Sequence, residues 1–224
     1  MHQLISKKIV TYLFLFLLLA TINNSSIIDF RLPKIDKIEI SGLSGNESGE
    51  IKQKIENLKF DNIFFINRFE VKKSLFSFNT VEQLSIFKNY PSTLKVDIKK
   101  TKFLALTKKD GIDYLIGANG KLIKKIKTTS ELPFIFGDLD LQEFFKLKKN
   151  IDKSNFDFDQ ISNLYFYKSK RWDIETSKGY LIKLPKKNIN EVLSLFVRLS
   201  REEKLQDNRI IDFRQKDQII LNAE

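Results

Sequence analysis

Cysteine is absent from the chain, and histidine occurs once, at position 2. The first absence excludes disulfides, thiolate zinc sites and cysteine nucleophiles. The second leaves everything after His2 without a Ser-His-Asp or Cys-His pair or a His-Cys metal cluster. There is no Gly-x-Gly phosphate loop, no internal repeat and no low-complexity tract. What is present is a folding composition, 42% hydrophobic and 30% charged over 224 residues, long enough for one or two domains.

Carboxylate pairs are the only remaining candidates for acid–base or cation chemistry. Asp138 with Asp140, and Asp157 with Asp159, have suitable spacing. Their setting after Gly137 and in a polar loop favours a solvated turn and a helix cap. We therefore assign no catalytic residue, no metal ligand and no cofactor. Trp172 beside Arg171 is either an interface anchor or, as we favour, a strand aromatic over a core. The net charge of +11 raises the question of nucleic acid. The lysines, however, are scattered and alternate with acids, so we expect neither a nucleic-acid nor a small-molecule partner. A basic surface near anionic lipid is the alternative.

The N-terminus bears on that alternative. Lys7 and Lys8 precede an apolar run from Ile9 to Ile22, and no charge follows until Asp29. The strictly apolar part has the length of a signal-peptide core, but the uncharged window 9–28 can cross a bilayer of roughly 30 Å. Ala20, Thr21 and Ser25 lack a small residue two positions earlier, so an uncleaved signal-anchor is favoured over a cleaved signal. The two lysines would keep residues 1–8 in the cytoplasm and export the rest.

In the exported part, "IDKIEISG" reads as a strand. Ile51, Ile55 and Leu58 mark a helix, and Asn67 with Glu70 resembles a capping box opening a second helix through Val71 and Leu75. "TVEQLSIFKNYP" and "STLKVDIKK" follow as strands, giving the order β-α-α-β-β, an α+β unit over 35–102. From Phe103 to Glu224 short strands dominate. Asn119-Gly120 is the strongest hairpin signal. Leu139–Ile151 reads as a helix. Asn188 with Glu191 reads as a capping pair opening another, with an inward stripe of Val192, Leu195, Phe196 and Leu199. Two strands around a turn near Gln215–Asp217 close the chain.

Several segments, taken in order, resemble the FtsQ/DivIB cell-division family. They are "IDKIEISG", "TVEQLSIFKNYPSTLKVDIKK", "YLIGANGKLI", "LPFIFG", "RWDIETSKGYLIKLP" and "IIDFR". The resemblance implies a transmembrane helix, a POTRA domain and a β-rich domain with a mixed sheet and flanking helices. It also implies a non-enzymatic division scaffold in the bacterial inner membrane at the septum, binding FtsB, FtsL and other septal membrane proteins. Another POTRA-bearing assembly or secretion factor is the alternative. By the same resemblance a terminal edge strand, Gln218–Leu221, would receive an FtsB strand by β-augmentation. Ile219 and Leu221 would share one face, Gln218 and Ile220 the other, with Arg214 and Lys216 pairing partner acids. The chain departs from the family at the expected junction, where Lys100, Thr101 and Phe103 stand for the usual Glu-Arg-x-Pro and Gly117 for an aspartate.

Overall fold

The computed structural model describes residues 7–22, 34–43, 45–125, 131–202, 204–205, 208–215 and 218–222. The apolar N-terminal run forms α1 (Lys7–Ile22), whose side chains over residues 7–20 join neither hydrophobic core. At ~1.5 Å per residue its sixteen residues extend about 24 Å. Among the described residues no helix is long and apolar enough to cross a membrane. Positions 23–28 of the expected span lie outside the described residues.

Alternating hydrophobic residues build a three-stranded sheet from β1 (Lys37–Ser41), β2 (Val81–Asn89) and β3 (Thr93–Lys100), in the order β1-β3-β2. Two helices, α2 (Asn46–Glu56) and α3 (Arg68–Leu75), cover one face. Ile51 and Ile55 of α2 and Val71 and Leu75 of α3 pack on Leu84, Ile86, Leu94, Val96 and Ile98. Asn67 caps α3, its side chain accepting from Phe69 N–H at 3.0 Å. This is the expected β-α-α-β-β order.

The module has two distinct ends. β1 runs parallel to β3, with Lys37 opposite Thr93, so β1 begins beside the β2–β3 turn. There Asp36 N–H donates to Ser92 O at 3.0 Å. The opposite end holds the C-terminus of β3, where the Lys100 ammonium reaches both carboxylate oxygens of Glu47 at 2.9 Å.

A nine-stranded mixed sheet follows. Its strands are β4 (Phe103–Lys109), β5 (Ile112–Gly117), β6 (Leu122–Lys124), β7 (Phe134–Phe136), β8 (Ile161–Phe166), β9 (Trp172–Thr176), β10 (Leu181–Lys183), β11 (Ile210–Asp212) and β12 (Ile220–Asn222). Across the sheet they run β12-β11-β10-β9-β8-β7-β4-β5-β6. Helix α4 (Leu141–Asp152) joins the parallel neighbours β7 and β8, and α5 (Ile189–Arg201) joins β10 and β11. Parallel neighbours require such crossovers, whereas short turns suffice for the antiparallel pairs. Phe144, Leu147 and Ile151 of α4 and Leu193 and Phe196 of α5 share a core with Ile135, Leu164, Ile174, Ile182 and Ile211.

One carboxylate of each pair caps a helical turn. Asp140 caps α4, accepting from Gln142 and Glu143 N–H at 2.9 and 3.3 Å. Asp157 caps a 3₁₀ turn by accepting from Asp159 N–H at 3.1 Å. Asn188 behaves differently from the sequence expectation. It adopts the left-handed conformation with φ 57°, and its side chain does not cap α5. The buried face of α5 is also rotated, with Leu193 and Phe196 at its centre and Val192, Leu195 and Leu199 only partly buried. α4 packs alongside α5 and covers a second flank, which widens the apolar face beyond a single stripe. Trp172 is a core residue, its ring centroid 4.5 Å from that of Phe166.

Candidate partner-binding edge

The sheet ends in two edge strands, β6 and β12, and their backbones meet different fates. At β6 the β5–β6 turn faces the first module. Gly120 supplies the positive φ of 77° that the turn requires. The Asn119 side-chain amide donates to Asn79 O at 2.8 Å and Val81 O at 3.0 Å, and its oxygen accepts from Lys121 N–H at 3.1 Å. In return the Asn79 amide donates to Leu122 O at 2.9 Å, and the Lys121 ammonium to Phe76 O at 2.6 Å. Buried Thr101 ties both sides together. Its N–H donates to Thr80 O at 2.9 Å, and its hydroxyl oxygen accepts from Asn119 N–H at 3.1 Å.

Gly117 is required by close approach. A Cβ there would lie 2.5 Å from Asn119 Oδ1 and 2.9 Å from Thr101 Cγ2. The departures at Thr101 and Gly117 thus fit each other. The first module engages the β6 edge at Leu122 O and through the turn before it.

At the other edge, β12 pairs antiparallel with β11, Ile211 opposite Leu221 and Asp212 opposite Ile220. Arg209 N–H donates to Asn222 O at 3.1 Å. No strand among the described residues lies beyond β12, and no β12 residue belongs to a core. Ile219, Ile220 and Leu221 are 38%, 42% and 38% exposed. The strand begins only at Ile220, and it lies outside the part of the sheet that the helices cover, so neither face is buried.

Arg214, expected to await an acidic partner, is already engaged. Its Nε donates to both Asp212 oxygens at 2.8 Å, its Nη2 to Oδ2, and its backbone N–H to Oδ1 at 2.9 Å. The bonded guanidinium holds the Asp212 carboxyl below its ordinary range, against burial, which pushes the other way. Lys216 lies outside the described residues. Among the described residues no group of three His, Cys, Asp or Glu side chains could hold a metal ion. The Asn79–Asn119 pairing was not anticipated. Asn119 reads as turn chemistry alone, because its long-range acceptors depend on how the two sheets dock.

Residues 34–100 match the model of the FtsQ-type POTRA domain, and residues 105–214 match the C-terminal model of cell division protein FtsQ/DivIB. The chain belongs to the FtsQ/DivIB family. Curated relatives named cell division protein FtsQ include that of Rickettsia bellii, 24% identical over 187 residues, which cover 82% of this chain and 70% of the relative. The protein of Bradyrhizobium diazoefficiens is 22% identical over 198 residues, covering 85% of this chain and 53% of the relative. The solved extracytoplasmic domain of DivIB from Geobacillus stearothermophilus aligns over 48% of this chain and 98% of its own, with a TM-score of 0.36 and 13% identity. The FtsQ/DivIB match stops at Arg214, so β12 lies beyond it.

Proposed function

We propose that this FtsQ/DivIB-family chain is a non-enzymatic scaffold of the division septum, whose β12 edge takes up a strand from an FtsB-type partner. The observation that carries this reading is the asymmetry of the nine-stranded sheet. At its β6 edge the first module bonds Leu122 O, while among the described residues no strand pairs with the outer side of β12, flanked by exposed Ile219, Ile220 and Leu221. An open edge is a template for strand addition, with backbone hydrogen bonds giving affinity and side chains giving specificity. Acidic partner residues meeting Arg214 would compete with Asp212, whereas Lys216 and Gln218 add polar contacts at the start of the strand.

In this reading residues 1–8 are a cytoplasmic tail and 9–28 a single-pass anchor in the inner membrane. Residues 35–102 form the POTRA domain, which docks other septal membrane proteins, and 103–224 the β-domain that recruits the FtsB–FtsL pair. Leu221→Pro removes one outward backbone donor from the edge, since Ile220 and Asn222 face Asp212 and Ile210 of β11. Co-purification with FtsB should fall while the fold, read by circular dichroism, is kept; undiminished binding would refute strand addition. Deleting Leu13–Leu19 should release the chain from membranes, and continued membrane fractionation would refute the single anchor. Depletion should give filaments with unfinished septa.

A further inference from the structure

The POTRA domain displays an apolar patch at the end where the chain arrives from α1. "NIFFIN", Asn62 to Asn67, buries its two isoleucines and turns its two phenylalanines outward. Phe64 is 47% exposed and Phe65 74%, whereas Ile63 is fully buried and Ile66 4% exposed. The arrangement is held in place. The Asn62 oxygen accepts from Phe64 and Phe65 N–H at 3.1 and 3.2 Å, and the Lys88 ammonium donates to Phe64 O at 3.0 Å. Tyr90, in the β2–β3 turn, is 60% exposed with its ring 4.9 Å from that of Phe64. Phe69, 73% exposed, stands on the first turn of α3 just beyond. The larger apolar side chains are thus fixed on the outside, where soluble domains rarely keep a contiguous patch without a partner.

We infer that this patch rests on the surface of the bilayer that anchors the chain. The inference rests on the anchored reading above. β1 begins at this end, since Asp36 bonds to Ser92 of the same turn as Tyr90. Eleven residues, 23–33, separate α1 from Lys34, and at ~3.5 Å each they reach at most about 40 Å. The opposite end is taken by the β-domain through Asn79 and Lys121. Of the two ends of the module, the aromatic one is therefore tethered to the membrane. Phe and Tyr side chains suit the headgroup–acyl boundary. The acids Asp36, Asp61 and Glu70 interleave with Lys34, Lys59 and Arg68 here, so apolar insertion rather than lipid charge dominates.

The test uses the full chain reconstituted in zwitterionic phospholipid vesicles with brominated acyl chains. Phe65→Trp adds an indole at the patch, and Phe76→Trp adds one at the opposite end, where Phe76 is also exposed. Native Trp172 is buried and gives a constant background. We expect the position-65 indole to blue-shift and lose most of its emission, and the position-76 indole to keep its own. Equal quenching at both positions, or none at 65 in chains that float with the vesicles, overturns the inference and leaves the anchor standing. The second result would mean that the patch faces a protein. Chains that fail to float at all overturn the anchor and this inference with it.

Discussion

The two edges of the nine-stranded sheet treat their polar groups in opposite ways. At β6, Asn79, Asn119, Lys121 and Thr101 form a reciprocal set of hydrogen bonds across to the POTRA domain. At β12, the only strand neighbour among the described residues is β11, and nearby isoleucine and leucine side chains are left exposed. The difference teaches that two edges of one sheet can serve different ends: hydrogen bonds from β6 and its turn join the domains, whereas β12 keeps its outer side open to addition. Damage to the joint should appear as lost stability, and damage to the open edge as lost binding.

Gly117→Val breaks the joint most severely. Its Cβ would lie 2.5 Å from Asn119 Oδ1, and we expect a loss of about 3 kcal/mol, the upper range for overpacked sites, as a lower midpoint in urea. Asn119→Ala removes the amide that bonds Asn79 O and Val81 O, with an expected loss of about 2 kcal/mol. Hydrogen exchange should then rise at residues 79–81 and 119–122; protection equal to the parent would show that the clasp is not what joins the domains.

Asp212→Asn weakens the pairing with Arg214 and should lower stability by about 1 kcal/mol at pH 7. Because the folded carboxyl titrates below its unfolded value of about 3.9, its contribution is complete above that pH. It fades as the pH falls through the folded value. The midpoint difference between variant and parent should therefore shrink only in acid, and a constant difference would mean that the charge is not involved. Leu221→Pro, whose missing N–H faces away from β11, should change stability least, by under about 1 kcal/mol, because β12 belongs to no core, while reducing FtsB capture the most.

How far the sequence revealed this depends on the range of the interactions. The β-α-α-β-β order, the Asn119-Gly120 hairpin and the Asn67 cap rest on short-range pattern, and all are present. The buried face of α5 was misjudged because the packing of α4 against it cannot be read from periodicity. Asn188 carries a capping residue type but adopts a left-handed backbone that its side chain does not use for the cap. At the candidate site, the terminal position of β12 was legible as the last hydrophobic run. The engagement of Arg214 depends on the local fold around Asp212, and the exposure of both faces of β12 on where the helices stop. The Asn79–Asn119 clasp depends on docking over forty residues of separation.

Only Thr101 and Lys102 separate the last residue of β3 from the first of β4. A connection this short, with its threonine buried and bonded on both sides, has almost no slack. A pull on β12 would pass through the sheet and the asparagine clasp into the POTRA strands with little give at the joint between the two domains. The two domains would then move as one body, without a yielding hinge between β3 and β4.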